Sequence, residues 1–376
     1  MSRKLFICVS VLLVLSLSLA ACAKATPTAA PTTEVPATQA PATTQAPVAT
    51  EDPMAALITA AKAEGTLVSY GLPDDWVNYG GMWKIMNDKY GITHADTDMS
   101  SGEILAALKA EATAPVADIT DLGFGFAQVV NDEKLSQPYK NAFWAEIPDY
   151  AKDPEGRWSA AYWGAIAFTV NADLVPNVPQ SWADLLKPEY KDTICMKDPR
   201  ESATANMVVL AAAFANGGDE TNPQPGVDYF KQLSTLGQLR ALSPSTDNIQ
   251  KGECPISLFW DFDGLSKKES LSEMNLKVVI PSDGTVAGLY IQFITAGAPH
   301  ANAAKLMIET EYSDEGQLAY AAGFVHPIRT SVVIPEELKA KFPPEASYSV
   351  VKFPQDYVAL AKAATTISDG WNTIAQ

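Results

Sequence analysis

Apolar and polar residues follow two kinds of pattern along the chain, one typical of strands and one typical of helices. The two patterns alternate, and this alternation predicts short strands followed by helices. Runs of β-branched and aromatic residues predict strands at residues 66–72, 92–97 and 117–122. Apolar positions at helical spacing predict helices at residues 55–64, 76–89, 103–111 and 123–131. Asp74 and Asp75 are expected to cap the second helix, and Gly91 to end it. Such an alternation is typical of an α/β fold with a parallel sheet.

The pattern returns after a long apolar run at residues 160–170, which predicts one more strand. Beyond this run, strands are predicted at residues 193–197, 256–261, 277–280 and 289–295. Helices are predicted at residues 202–215, 228–236, 265–270, 301–311, 314–322 and 358–374. The helix at residues 202–215 is apolar on nearly all sides, so we expect it to be buried.

A specific combination of motifs occupies residues 157–192. The apolar strand reads Gly-x-Ile-Ala-Phe-x-Val-Asn, and Pro176 and Pro179 follow it. Next come Ser-Trp-Ala-Asp-Leu-Leu, a short helix with Ser181 as its N-cap, and then Lys-Pro-Glu-Tyr-Lys. In this order the motifs closely resemble the crossover of the extracellular solute-binding proteins of ABC importers, which have the type II periplasmic binding protein fold. The turn at residues 323–329 also resembles one that follows the last paired helices in this family.

The resemblance extends from about residue 57 to the C-terminus and implies a two-lobed α/β fold. It implies parallel-core sheets joined by two crossover strands, the return crossover being the strand pair at residues 277–280 and 289–295. The first lobe would comprise residues 53–162 and, after the chain returns to it, residues 282–376 with the C-terminal helices. The second lobe would comprise residues 163–281. The class it resembles includes binders of ferric iron, polyamines, thiamine and organophosphates, and monomers are its default state. A small charged solute and the permease subunits of an ABC transporter are therefore the expected partners.

Residues 1–21 have the pattern of a lipoprotein signal peptide. Arg3 and Lys4 precede an apolar stretch, and Leu-Ala-Ala-Cys at residues 19–22 resembles a lipobox, which predicts lipid attachment to Cys22. The apolar stretch is short for a membrane span, which takes about 20 apolar residues. Residues 22–52 are rich in Ala, Thr and Pro and predict a disordered tether outside the cytoplasmic membrane.

About 325 residues then remain, which suits two packed lobes better than one core. The net charge is −17, and removal of Arg3 and Lys4 with the signal peptide would make it more negative. A nucleic-acid partner is excluded on this ground, because few basic residues are available to neutralise phosphates.

Cys195 and Cys254 form an even pair in an extracytoplasmic chain, which favours a disulfide over two free buried thiols. Each cysteine lies at the start of a predicted strand, so the bond requires those strands to be neighbours. No second Cys or His falls at a zinc-ligand spacing, and neither a metal nor a cofactor is expected.

Ligands of open α/β sheets bind beyond the carboxyl ends of the strands, near helix N-termini. Candidate ligand-binding residues at such places are Tyr70, Asp75, Trp76, Ser100, Ser101, Tyr162, Trp163, Ser202, Thr204, Trp260, Asp261, Asp263 and Arg329. Each has a structural alternative: the serines as helix caps, Trp76 with Trp83 as a core stripe, and Arg329 or Arg200 as turn anchors.

The ligand types that these residues favour conflict. Helix N-termini and arginines favour a phosphate or carboxylate, whereas Trp260 beside Asp261 and Asp263 favours an ammonium group. A polyamine-like amine and an organophosphate or aminophosphonate are both retained. A ferric-iron binder is a further alternative, although no Tyr-Tyr dipeptide occurs and Tyr162 precedes a tryptophan.

An enzyme on the same fold is the alternative from a different class. The sequence contains no Gly-x-Ser-x-Gly, phosphate-binding loop, His-Glu-x-x-His or Cys-x-x-Cys motif, and its three histidines are far apart. Catalysis is therefore not expected. A sensor subunit or a structural surface protein is a third possibility.

Overall fold

The computed structural model describes residues 52–374, which belong to one compact unit. The predicted signal peptide, Cys22 and nearly all of the predicted tether lie outside the described residues. No helix among residues 52–374 is long and apolar enough to cross a bilayer.

Helices and strands alternate through most of this unit. The helices are α1 Pro53–Glu64, α2 Tyr79–Tyr90, α3 Ser101–Ala110, α4 Ala127–Asp132, α5 Ala203–Ala215, α6 Gln224–Leu236, α7 Thr246–Gln250, α8 Asp261–Ser270, α9 Ala301–Tyr312, α10 Asp314–Ala322, α11 Glu336–Lys339 and α12 Tyr357–Trp371. The strands are β1 Thr66–Tyr70, β2 Thr93–Thr97, β3 Ile119–Gly123, β4 Ser136–Gln137, β5 Ser159–Asn171, β6 Ile194–Cys195, β7 Ile256–Trp260, β8 Leu276–Val279, β9 Thr285–Thr295, β10 His326–Pro327 and β11 Val351–Lys352.

Two long antiparallel strands, β5 and β9, organise one curled mixed sheet with the order β2-β1-β3-β9-β5-β7-β6. β1 pairs in parallel with β2 and β3 at one end, and β6 pairs in parallel with β7 at the other. The first part of β5 pairs with β9, whereas its last six residues pair with β7 or β8. The predicted α/β fold, with parallel strands on either side of two crossover strands, is confirmed.

We name the two ends of this sheet the first half (β1, β2 and β3) and the second half (β6, β7 and β8). The predicted lobe boundaries fall within β5 and shortly before β9, and they stay a prediction. α12 packs against elements next to both halves: Tyr357 contacts Phe124, which follows β3, and Trp371 contacts Phe230 of α6.

The predicted apolar helix is α5, and its burial is confirmed: seven of its thirteen residues are apolar and buried. Ser202 caps it by accepting a hydrogen bond from the N–H of Ala205 at 3.2 Å. α5 therefore forms part of the core beside the second half of the sheet.

Four local predictions are wrong. α2 begins at Tyr79 rather than residue 76, because Val77 and Asn78 have left-handed backbone angles, so Asp74 and Asp75 lie in a loop before the helix. The Ser-Trp-Ala-Asp-Leu-Leu segment forms only a 3₁₀ turn over Asp184–Leu186. The return crossover is the single strand β9, while β8 pairs with the end of β5. α8 begins at Asp261, directly after β7, rather than at residue 265.

Cys195 and Cys254 are joined by a disulfide with their Cα atoms 5.5 Å apart. Cys195 is the last residue of β6, and Cys254 precedes β7, which is its parallel neighbour. The bond closes a loop across a sequence separation of 59 residues at the edge of the second half.

We expect the double substitution Cys195→Ser and Cys254→Ser to lower the free energy of unfolding by about 2–4 kcal/mol, because the unfolded chain loses its closed loop. Urea denaturation followed by circular dichroism measures the change. Wild-type protein kept in a reducing agent is the control and should match the variant. Equal midpoints for oxidised and reduced wild type would contradict a stabilising disulfide.

Candidate functional site

The two crossover strands place two glycines opposite each other. Gly164 of β5 is the register partner of Gly288 of β9. Phe262, at the start of α8, lies against Gly164, and Trp260, at the end of β7, lies against Gly288. The connection between β7 and α8 therefore rests directly on the crossover strands.

Four aromatic side chains meet at this point, and we name Trp76, Trp260, Phe262 and Tyr290 the aromatic cluster. Trp76 contacts the rings of Phe262 and Tyr290 edge-on, with centroids 5.3 and 5.4 Å away. Trp260 stacks with Phe262 at 6.0 Å. Trp260 and Phe262 are buried, whereas Trp76 and Tyr290 are half-buried. The loop after β1 in the first half thus contacts the start of α8 beside the second half.

Hydrogen bonds fix the indole groups of this cluster. The Nε1–H of Trp260 points to both Thr204 Oγ1 at 3.1 Å and the Tyr290 hydroxyl at 3.2 Å. The Nε1–H of Trp76 points to the Tyr162 hydroxyl at 2.9 Å and to Asp121 at 3.3 Å. The predicted residues Trp76, Tyr162, Thr204 and Trp260 are therefore brought together around Tyr290.

Asp121 is a buried carboxylate beneath the aromatic cluster that our sequence analysis missed. It is only 4% exposed, and it accepts hydrogen bonds from the Tyr162 hydroxyl at 2.6 Å and from Gln292 Nε2 at 2.8 Å. Burial raises its pKa to about 7, although these hydrogen bonds act in the opposite direction. The signal in the sequence is a single acidic residue in the middle of the apolar strand β3.

A chain of hydrogen-bonding groups continues from Asp121 into the protein. Gln292 Nε2 is also 3.3 Å from the Tyr79 hydroxyl, and the Tyr320 hydroxyl is 3.3 Å from that of Tyr79. Tyr320 reaches the buried carboxyl of Glu311 at 3.1 Å, and burial raises the pKa of Glu311 well above its usual range. The site therefore adjoins a second buried acid through tyrosine and glutamine side chains.

Tyrosines from three elements lie close together, although none are adjacent in sequence. Tyr162 stacks on Tyr290 with centroids 5.4 Å apart, and Tyr320 lies 5.0 Å from Tyr162. The absence of a Tyr-Tyr dipeptide thus gave no information on tyrosine proximity. Among residues 52–374, no three His, Cys, Asp or Glu side chains are grouped so as to hold a metal ion.

Asp263 lies in the first turn of α8. Its side chain is half-buried, and burial raises its pKa while the charges of Lys267 and Lys197 oppose that rise. Burial, followed by the charges of Asp121 and Asp263, raises the pKa of the Tyr290 hydroxyl. Two carboxylates therefore act on one hydroxyl of the aromatic cluster.

Asp261, unlike the half-buried Asp263, is held by contacts inside the protein. It is fully buried, and its Oδ1 accepts the backbone N–H groups of Ala165 and Phe262, both at 2.9 Å. Its Oδ2 accepts the Tyr348 hydroxyl at 2.8 Å and lies 3.4 Å from His326 Nε2. These contacts tie α8 to β5 and to the C-terminal segments.

Trp163 belongs to this second set of contacts rather than to the aromatic cluster. Its ring stacks on that of His326 with centroids 4.0 Å apart, and Tyr348 and Phe353 contact it edge-on. Trp163 and Asp261 therefore lie together on β5 and α8, apart from Trp76 and Tyr290.

The candidate serines are all engaged in hydrogen bonds within the protein. Ser100 forms a capping box with Glu103, whose carboxylate accepts both its N–H and its hydroxyl. Ser101 Oγ accepts the N–H of Gly123 at 3.2 Å, and Ser202 caps α5 as described above. An anion at α3 would in addition meet the Glu103 carboxylate.

The candidate arginines are paired with acids inside the chain. Arg329 is 5% exposed, forms ion pairs with Glu146 at 2.7 Å and Asp314 at 2.8 Å, and lies over the ring of Phe143. Arg200 is paired with Asp198.

The last two candidates precede Trp76: Tyr70 ends β1, and Asp75 lies in the loop that carries Trp76. The Tyr70 hydroxyl donates to Glu111 at 2.8 Å, and burial raises the pKa of Tyr70 to about 12. Asp75 is exposed next to Trp76.

Comparison with known proteins identifies related binding proteins. Residues 114–357 match the model of a family described as bacterial extracellular solute-binding protein. A probable ABC transporter periplasmic-binding protein of Sinorhizobium fredii is 25% identical over 280 residues, which is 73% of each chain. The spermidine/putrescine-binding periplasmic protein of Salmonella typhimurium is 27% identical over 162 residues, 42% of this chain and only 45% of that protein.

The fold is also similar to that of solved structures. The periplasmic binding protein AfuA of Actinobacillus pleuropneumoniae, with fructose-6-phosphate bound, superposes with a TM-score of 0.69. The match is 23% identical and covers 83% of this chain and 98% of that one. At this identity, the likeness concerns the fold alone.

The buried Asp121 predicts a specific pH dependence of stability. The folded protein holds this proton up to about pH 7, whereas an unfolded aspartate releases it near pH 4, so wild-type stability should fall as pH rises between these values. Asp121→Asn removes this titration. As pH rises, the free energy of unfolding of the variant should therefore increase relative to that of wild type by up to about 1.4 kcal/mol per pH unit.

Urea denaturation at several pH values from 4 to 7 measures this difference. The exposed residue Glu337 provides a control, because Glu337→Gln should give a difference from wild type that stays constant. A constant difference for Asp121→Asn as well would show that Asp121 does not take up a proton in this range.

Proposed function

The chain belongs to the family of bacterial extracellular solute-binding proteins, has the two-lobed α/β fold of type II periplasmic binding proteins and is a solute-binding receptor for ABC transport; from this premise we propose that its solute is an organic amine of the polyamine type. The solute would be bound at the aromatic cluster, and lipid on Cys22 would hold the receptor at the outer face of the cytoplasmic membrane.

One observation carries the proposed solute class: an aromatic cluster is flanked by two carboxylates, Asp121 and Asp263. Ring faces attract ammonium groups by about 0.5–2 kcal/mol each, and a carboxylate adds a charge-assisted hydrogen bond. The charges of both acids raise the pKa of the Tyr290 hydroxyl. This arrangement suits a solute with two or more amino groups along an apolar stem.

The groups that would favour an anion are already engaged. Ser100 and Ser202 cap helices, Arg329 and Arg200 are paired with acids, and Glu103 adds negative charge at the start of α3. An anion at any of these groups would have to break the contacts that they already make. The spermidine/putrescine-binding relative is in line with the amine, while AfuA with its sugar phosphate bears on the fold alone.

An aminophosphonate is the second candidate, because two features beside Asp263 or the aromatic cluster suit an anion. The charge of Lys197 acts on Asp263, and Thr204 in the first turn of α5 bonds to Trp260. A zwitterion would direct its amino group to the acids and its phosphonate to this helix start.

Ferric iron is a poorer candidate, because iron binding by tyrosine needs the phenolate. Burial raises the pKa values of both Tyr162 and Tyr290, so the hinge environment opposes ionisation. We propose no catalytic role either, and a bound solute should be recovered unchanged.

Solute entry requires the two halves to separate at the aromatic cluster. Trp76 on the first side contacts Phe262 on the second, and β5 and β9 link the two sides beneath them. We infer a hinge motion about these two strands that breaks the Trp76–Phe262 contact and exposes Asp121 and Asp263. The closed form would then present the permease with two aligned lobes.

We expect spermidine to raise the melting temperature of the domain and Asp263→Asn to weaken spermidine binding at least tenfold, because one charge-assisted hydrogen bond is lost. Isothermal titration calorimetry measures the affinity. Asp369→Asn is the matched control, because it removes the same charge from an exposed position on α12 and should leave the affinity unchanged.

The same titrations are made with a panel of other solutes: putrescine, aminoethylphosphonate, fructose-6-phosphate and ferric citrate. Binding of a phosphate compound that is lost in Lys197→Ala and kept in Asp263→Asn would overturn the amine in favour of an anion. The absence of binding across the panel, with protein freed of carried-over solute by refolding, would refute this group of ligands.

Lipid attachment is tested separately. We expect the full-length protein to partition into the detergent phase and the Cys22→Ala variant to remain in the aqueous phase, because the variant lacks the thiol that carries the lipid. Phase separation of cells that express each form measures the distribution. Membrane association of the variant equal to that of wild type would contradict anchoring through Cys22.

A further inference from the structure

Gly164 and Gly288 are required for space rather than for backbone conformation. Neither has a left-handed φ, and both lie within regular strands. A Cβ atom added to Gly288 would lie 2.0 Å from Cη2 of Trp260, and one added to Gly164 would lie 2.4 Å from Cδ1 of Phe262. Non-bonded carbon atoms pack at about 3.5–4.0 Å, so neither methyl group fits.

The atoms that fill this space belong to the aromatic cluster. Trp260 also brings Cζ3 and Cζ2 within 2.7 Å of the added Cβ at Gly288, so the outer edge of its six-membered ring lies against the glycine. Close approaches at other glycines, such as Gly316 and Gly226, involve backbone atoms and serve helix packing. Gly164 and Gly288 thus form a paired contact surface for two rings.

The distance of the Trp260 and Phe262 rings from the crossover strands determines the space left around Tyr290. Trp260 and Phe262 are stacked on each other, and both also contact a half-buried ring of the cluster. A side chain on either strand would push its ring outward, toward Trp76 and Tyr290, and would narrow the cluster. Because Gly164 and Gly288 have no side chains, the rings of Phe262 and Trp260 can lie close to the crossover strands, and this closeness sets the width of the site.

We propose that Gly164 and Gly288 are positioning residues that set the solute specificity of this receptor through Phe262 and Trp260. The part that concerns solute affinity rests on the proposed function. The part that concerns ring position does not, because it can be measured without any solute.

The first test is Gly288→Ala, with Gly102→Ala as the matched control. A Cβ atom at Gly102 meets nothing within 4 Å. We expect Gly288→Ala to lower the melting temperature, to alter the near-ultraviolet circular dichroism of tryptophan and to raise the Kd for spermidine at least tenfold. Gly102→Ala should leave the near-ultraviolet spectrum and the affinity unchanged.

The second test separates positioning from a general structural role. In a Trp260→Leu background the smaller side chain leaves room for the methyl group, so Gly288→Ala should no longer lower the melting temperature. Equal losses in both backgrounds would overturn the proposal. Gly164→Ala with Phe262→Leu gives the equivalent comparison on the other strand.

If Gly288→Ala alone fails to fold, recovery of folding in the double variant with Trp260→Leu supports the proposal, and failure of both overturns it. If the wild type binds no amine, the proposed function fails, while the melting-temperature comparison still decides the role of the glycines. Unchanged affinity for a bound amine in Gly288→Ala, together with an altered tryptophan spectrum, would reject the specificity role.

Discussion

The antiparallel pairing of β5 with β9 is the interaction on which the remaining structure depends. These two strands join the parallel strands of the first half to those of the second. β9 pairs with β3 on one edge and with β5 on the other, and β5 continues beyond β9 to pair with β7 and β8. Their hydrogen bonds hold the register that places Gly164 opposite Gly288. A shift by one residue would turn every side chain to the other face and would bring Trp163 or Leu289 under the rings.

The electrostatic character of the site follows from its place on these strands. Asp121 lies on β3, next to β9, and so it is covered by Gln292 and the Tyr162 ring rather than by water. Desolvation of a carboxylate is costly, and the four side chains that hydrogen-bond to Asp121 offset only part of that cost. A buried acid that is held at such a cost beside half-buried rings suits a cationic group, which would stabilise the ionised form.

Much of the fold could be predicted from the sequence, because its signals are local. Apolar periodicity located β5, α5 and the helices near the C-terminus, and the motifs at residues 157–192 pointed to the crossover. The start of α2 was misplaced because Asp74 and Asp75 resemble an N-cap, whereas the helix begins after the left-handed residues Val77 and Asn78. Such backbone angles are unusual for a β-branched residue, and no periodicity indicates them.

The site was harder to predict than the fold, because proximity across elements has no local signal. Trp76, Thr204 and Trp260 were found from their positions after strands or at helix starts, but Asp121 and Tyr290 lie inside strands that read as core. Asp261 and Asp263 are two residues apart in sequence, yet the first is enclosed by donors from β5 and the C-terminal segments.

The helix geometry of α8 explains that difference. Residues two apart on a helix point in directions about 200° apart, so the carboxylate of Asp263 lies on the opposite side from that of Asp261. Asp261 anchors α8 to Gly164 and Ala165, and this contact fixes the direction in which Asp263 projects. The acid that ties α8 to β5 and the acid that we propose meets the solute are therefore two residues apart in one helix turn, positioned by one pair of strands.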